Sequence, residues 1–233
     1  MADKPILFSA SMVRALLDGR KTQTRRVLKI KGYKGFFQFG VSDTKGYDWT
    51  FRRADHVWED YEHDKMLGML RIQSRDRLYV REHWKSDLIY DDLSPSQMGG
   101  EEPVHYCADG SEQTWGWPNQ AAWGRFRQGM HMPRWASRLT LTVTDARVQR
   151  LQDIIEADAI DEGCRPFFDE NDPHIHKGPN GTEHEMMPLK GPVDAFHKLW
   201  NSLHGPDAWD VNPWLVAYSF DVHRGNIDQM QDT

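Results

Sequence analysis

Gly19-Arg20-Lys21-Thr22-Gln23-Thr24-Arg25-Arg26 places four cations and two hydroxyls in eight consecutive residues, directly after an amphipathic segment. Upstream, Met12, Val13, Leu16 and Leu17 fall on one face of a helix that Ser9 or Ser11 can cap. Gly19 ends that helix, because glycine tolerates the left-handed backbone that closes one. Downstream, Thr24 to Leu28 reads as a strand, so the basic cluster lies at a helix-to-strand junction. Residues three apart on a strand point to opposite faces. Lys21 and Thr24 therefore share a pocket only if Lys21 belongs to the turn and Thr24 to the strand.

Working outward, Pro5 to Ser9 reads as a short buried strand. Residues 31–73 show no sustained periodicity and read as hairpins and loops. Arg77 to Glu82 forms a core strand after the polar turn Ser74-Arg75-Asp76, and Val104 to Ala108 a second, closed by Asp109-Gly110. Between Ser111 and Gly129, Trp and Gly are frequent but follow no period. From Arg138 to Arg147, Leu139, Leu141 and Val143 alternate with Thr140, Thr142 and Thr144 as in a half-buried strand.

Asp153 and Glu156 have the spacing of a capping box for a helix whose buried stripe is Ile154, Ile155, Ala159 and Ile160, ending at Gly163. Residues 165–192 read as a long loop, followed by a helix near Val193–Leu203, a strand at Trp214–Val222 and a polar, frayed tail at 225–233. Short strands outnumber helices. The expected fold is α+β, a small mixed barrel with helices closing its ends.

Composition bounds the function. The 233 residues include 10 Trp and 10 Phe, enough apolar area for a core, and carry a net charge of −6. That charge argues against coating nucleic acid non-specifically, yet leaves room for one basic pocket. Cys107 and Cys164 have no CxxC spacing, which fits a reducing, cytoplasmic setting. Neither a signal peptide nor a membrane-length apolar run is read. His174, His176 and His184 match no ligand spacing, so no metal and no cofactor is expected.

Three constellations stand out. The basic cluster grips phosphate, activates Lys21, or is a solvated turn. Glu162 sits at a helix C-terminus, where the helix dipole disfavours a carboxylate, and taken alone reads as an exposed helix acid. Arg81-Glu82-His83-Trp84 ends a strand with an aromatic that either stacks on a base or fills the core.

These residues resemble the ASCH family, whose fold is a PUA-like β-barrel. The likeness rests on Gly19-Arg20-Lys21-Thr22 with Thr24 and Arg26, on Arg75-Asp76-Arg77-Leu78-Tyr79-Val80-Arg81-Glu82, on Ala159-Ile160-Asp161-Glu162-Gly163, and on Asn212-Pro213-Trp214. The opening ILFS…GRKTQTRR and MPRWASRLTL at 132–141 are similar to its larger, phage-borne branch. Ser74-Arg75 stands where the family has a glycine before Asp76. The resemblance implies one elaborated domain over 1–224 with insertions near 31–73, 85–131 and 165–190. One characterised type in that family hydrolyses N4-acetylcytidine. It implies catalytic roles for Lys21, Thr24 and Glu162, with Ser9, Arg26, Glu82 and Trp84 as substrate-binding candidates.

The implied partner is a nucleoside or nucleobase. The competing readings are an RNA or modified-base binding module, a ribonuclease, and a phage accessory protein without turnover.

Overall fold

The computed structural model describes residues 2–30, 36–115, 122–168 and 189–230. In chain order the elements are β1 (Asp3–Leu7), α1 (Ala10–Leu17), β2 (Gln23–Val27), β3 (Phe36–Val41), β4 (Trp49–Arg53), β5 (Trp58–Tyr61), α2 (His63–Gly68), β6 (Arg77–Arg81), β7 (Trp84–Lys85), β8 (Val104–Tyr106), β9 (Glu112–Gln113), β10 (Leu139–Arg150), α3 (Glu156–Asp161), β11 (Phe167–Phe168), β12 (Leu189–Lys190), α4 (Pro192–His204) and β13 (Trp214–Arg224). This is a mixed α+β chain. Its five-stranded sheet has the order β1-β6-β10-β13-β2, and two three-stranded sheets are formed by β3-β4-β5 and β7-β8-β9.

Among the described residues no sheet closes into the expected barrel, because β1 and β2 end the five-stranded row. Pro5 suits an outer strand, since proline has no N–H to donate. β1 runs parallel to β6 with Ile6 opposite Val80, and β10 runs antiparallel to β6 with Leu141 opposite Leu78. The expectation that β1 is a buried strand holds for Ile6 but not for Leu7, which is exposed. In β10 the alternation also gives way. Thr140 is as buried as Leu139 and Leu141, with its hydroxyl donating to the Gly225 carbonyl at 3.0 Å.

The chain divides into two compact units. Unit 1 comprises Met1–Thr22, Lys29–Ala146 and Tyr218–Thr233. Its helix α1 buries Met12, Val13, Ala15 and Leu16. In β3-β4-β5, Phe39 stacks on Trp49 and Phe51 on Tyr61, with ring centroids 5.4 and 5.1 Å apart. A second apolar cluster gathers Trp84, Val104, Tyr106 and Met132. The tail expected to fray is instead docked as far as residue 230. Asn226 Nδ2 lies 2.8 Å from the carbonyl oxygens of Arg134 and Ser137, and Ile227 is buried.

Unit 2 comprises Gln23–Leu28 and Arg147–Ala217. Pro192 occupies the first turn of α4, where its missing N–H costs nothing. Phe196 and Trp200, one helical turn apart, pack with Leu151, Ile154, Ala159 and Leu215. Helix α3 starts later than the sequence suggests, with Ile155 as its cap. Asp153 closes the preceding 3-10 turn by accepting from the Arg150 N–H at 3.0 Å. The expected apolar stripe of α3 holds in part: Ile154 and Ala159 are buried, but Ile155 is 61% and Ile160 52% exposed, while Asp158 and Glu162 are buried.

Candidate active site

Two helix ends set the positions of Lys21 and Glu162. Gly19 has φ 70°, and the Gly19 and Arg20 N–H groups bond to Leu16 O (3.0 Å) and Ala15 O (2.9 Å). That is the paired closure of a Schellman motif. The Lys21 N–H also reaches Ala15 O, at 3.1 Å, so the backbone of Lys21 is tied to the end of α1. Lys21 lies outside β2, as the sequence requires of it, and its side chain is fully buried with Nζ 5.6 Å from the Phe8 ring centroid. Lysine is almost never buried to this depth without compensating interactions.

Helix α3 ends in the same way. Gly163 has φ 90°, with its N–H on Ile160 O (2.8 Å) and the Cys164 N–H on Ala159 O (3.0 Å). Glu162 is the last residue before this turn and is 4% exposed. The exposed helix acid of the sequence reading is therefore a buried one. Its neighbour is Arg25 of β2, whose Nη1 lies 3.3 Å from Glu162 Oε1. Arg25 Nη2 lies 2.9 Å from Asp158 Oδ2, angled as an ion pair without a directed hydrogen bond. Arg25 Nη1 also donates to Gln23 Oε1 at 2.6 Å, and Phe196 packs 5.7 Å from the guanidinium. Arg147 joins from the rim, its Nη2 3.2 Å from Asp158 Oδ1. This explains the inverted α3: residues 158 and 162, four apart on one helical face, turn inward to meet a buried cation.

Within β2 the pleat places Gln23 and Arg25 on one face and Thr24 and Arg26 on the other. The structure thus joins Glu162 to the strand through Arg25. Thr24 is 1% exposed, and its Oγ1 is buried with no hydrogen-bond partner. A buried hydroxyl in that state costs about 1–3 kcal/mol. Arg26 is half-buried, with Nη1 3.4 Å from the Arg25 carbonyl oxygen. Burial lowers the pKa of the His204 imidazole, and the nearby Arg26 charge adds to the effect.

The remaining candidates belong to unit 1. Ser9 precedes α1 in extended conformation, but its hydroxyl bonds to Ser11 Oγ (3.1 Å) and makes no capping bond. Glu82 is buried, which pushes its carboxyl pKa up. Opposing that, Arg138 grips it through Nε and Nη2 at 2.8 and 2.9 Å. Arg138 also reaches Asp109 Oδ2 at 2.9 Å and lies 4.1 Å from the Tyr106 ring centroid. Trp84 is fully buried in the cluster with Tyr106 and Met132, so both of its faces are occupied by protein.

Sequence reasoning missed the roles of Asp158 and Arg138. Asp158 had a signal, the i, i+4 spacing to Glu162, whereas nothing local marks Arg138 as the partner of Glu82. Among the described residues no group of three His, Cys, Asp or Glu side chains is close enough to hold a metal ion. No helix among them is long and apolar enough to cross a membrane. His174, His176 and His184 lie outside the described residues. No family model, no curated protein and no solved structure matches the chain.

Proposed function

We propose that the chain is an amidohydrolase of the ASCH type, with a PUA-like ancestry for its sheet, that removes the acyl group from N4-acylated cytosine nucleosides or bases. For N4-acetylcytidine the amide C–N bond breaks, the oxygen of water joins the acetyl carbon, and cytidine and acetate leave. The exocyclic amine is delocalised into the ring, so it departs more readily than an alkylamine. In this reading Thr24 supplies the hydroxyl for the acyl carbonyl, Lys21 the amine and Glu162 the carboxylate.

The observation that carries it is the orphaned hydroxyl of Thr24. Its burial without a hydrogen-bond partner carries a cost that a bound ligand can offset. Lys21 and Glu162 are buried against the ordinary preference of their residue types, as functional ionisable groups often are. Arg75 supports the family reading, because its φ of 71° is the conformation a glycine would take at the turn before Asp76.

The test is the ultraviolet absorbance of N4-acetylcytidine mixed with purified protein. Steady conversion to the cytidine spectrum, abolished in Thr24→Val, is expected. An unchanged spectrum over many hours would remove the proposal.

A further inference from the structure

We infer that Arg25 is a positioning residue for the carboxylate of Glu162, an assignment that rests on the function proposed above. The guanidinium of Arg25 is turned to Gln23, Asp158 and Glu162, so it acts through these neighbours. Its planar fork spans two acids of α3, with Nη1 at 3.3 Å from Glu162 Oε1 and Nη2 at 2.9 Å from Asp158 Oδ2. Gln23 Oε1 at 2.6 Å and the Phe196 ring at 5.7 Å fix the plane of the guanidinium. Asp158 is held in turn by Arg147. The row Arg147, Asp158, Arg25, Glu162 alternates basic and acidic side chains.

An arginine only donates hydrogen bonds, so Glu162 Oε1 is an acceptor on the side facing Arg25. Without that cation, two buried acids one helical turn apart would repel each other and Glu162 would lose one of the groups that orient it. Lysine cannot replace it in full. A single ammonium is a point charge and does not bridge two carboxylates in one plane.

The experiment compares Arg25→Lys and Arg25→Met with wild type in N4-acetylcytidine hydrolysis, together with the folded fraction of each protein. Arg25→Lys is expected to lose about tenfold or more in kcat with KM within about twofold, since misplacing a reacting group costs turnover more than binding. Arg25→Met loses more, so that lysine restores part of the rate. If removal of the buried charge prevents Arg25→Met from folding, Arg25→Lys alone decides. A wild-type kcat in Arg25→Lys, or a loss that only tracks its folded fraction, overturns the assignment.

A crystal structure of Arg25→Lys provides a reading independent of turnover. The Glu162 carboxylate is expected to be displaced or to occupy several rotamers; a carboxylate left in place overturns the assignment. A wild type inactive on N4-acetylcytidine would strike the functional proposal alone, and the crystal structure would then decide the positioning role.

Discussion

Arg25 Nη1 and Glu162 Oε1 lie 3.3 Å apart although 137 residues separate them in the chain. The pair is buried on both sides, and it turns the polar face of α3 inward while two isoleucines face outward. Burying such a pair rarely adds stability over apolar packing, so its presence directs attention to what Glu162 does.

Thr24→Val removes a hydroxyl that has no partner and keeps the shape of the side chain. Stability is expected to hold or to rise by up to about 1 kcal/mol, while hydrolysis of N4-acetylcytidine falls by about a hundredfold or more. Thermal unfolding and a rate assay on the same preparation check both halves. A drop in stability with activity intact would assign Thr24 to the core instead.

The inverted helix gives a second test. Ile160→Gln is expected to cost less than about 0.5 kcal/mol, because Ile160 is mostly exposed. Asp158→Leu is expected to cost about 3–5 kcal/mol, because it strips one anchor from buried Arg25. Urea unfolding of the two variants separates them, and the reverse order would contradict the described orientation of α3.

Arg75→Gly is expected to stabilise the protein by about 0.5–1 kcal/mol. The φ of 71° strains a residue with a Cβ by more than glycine loses in chain entropy. A lower urea midpoint in the variant would contradict this.

Acid stability follows from Asp109. Burial raises its carboxyl pKa, but the hydrogen bonds from Arg138 and Ser111 more than offset that and bring it to about 2, against an ordinary 3.8. The folded-state value is depressed, so the contribution is complete above about pH 4 and is lost as pH falls from 4 to 2. Asp109 is exposed, so solvent screening trims the loss to about 0.5–1 kcal/mol. Asp109→Asn is expected to flatten stability over that window in unfolding series at pH 4.5 and 2.5. A slope as steep as wild type would count against the Arg138 pairing.

Local pattern carried much of the fold. The apolar spacing of α1, its closing Gly19, the strands at 77–81 and 214–224, and the helix over Phe196 and Trp200 are all properties of neighbouring residues. What the pattern could not carry was contact between distant segments. The stripe read onto α3 held for Ile154 and Ala159 but not for Ile155 and Ile160, which look like core until a buried Arg25 gives Asp158 and Glu162 a reason to turn inward. The tail looked frayed because the carbonyls that hold Asn226 lie some ninety residues earlier.

The closed barrel failed for a similar reason, since counting short strands does not reveal that β1 and β2 end the row. GRKTQTRR singled out Lys21 and Thr24, both of which are buried, whereas nothing in it distinguishes Arg25 from Arg26. Only strand parity in three dimensions shows that the former faces α3.

The proposed function requires Lys21, Thr24 and Glu162 each to take part in the same reaction. The most direct measurement is the N4-acetylcytidine hydrolysis rate of Lys21→Ala, Thr24→Val, Glu162→Gln and the triple variant, each against wild type. Groups that work as a unit lose nearly everything when any one is removed, so each single variant is expected to fall close to the rate of the triple. A Lys21→Ala enzyme that hydrolyses the substrate at the full wild-type rate would contradict the claim.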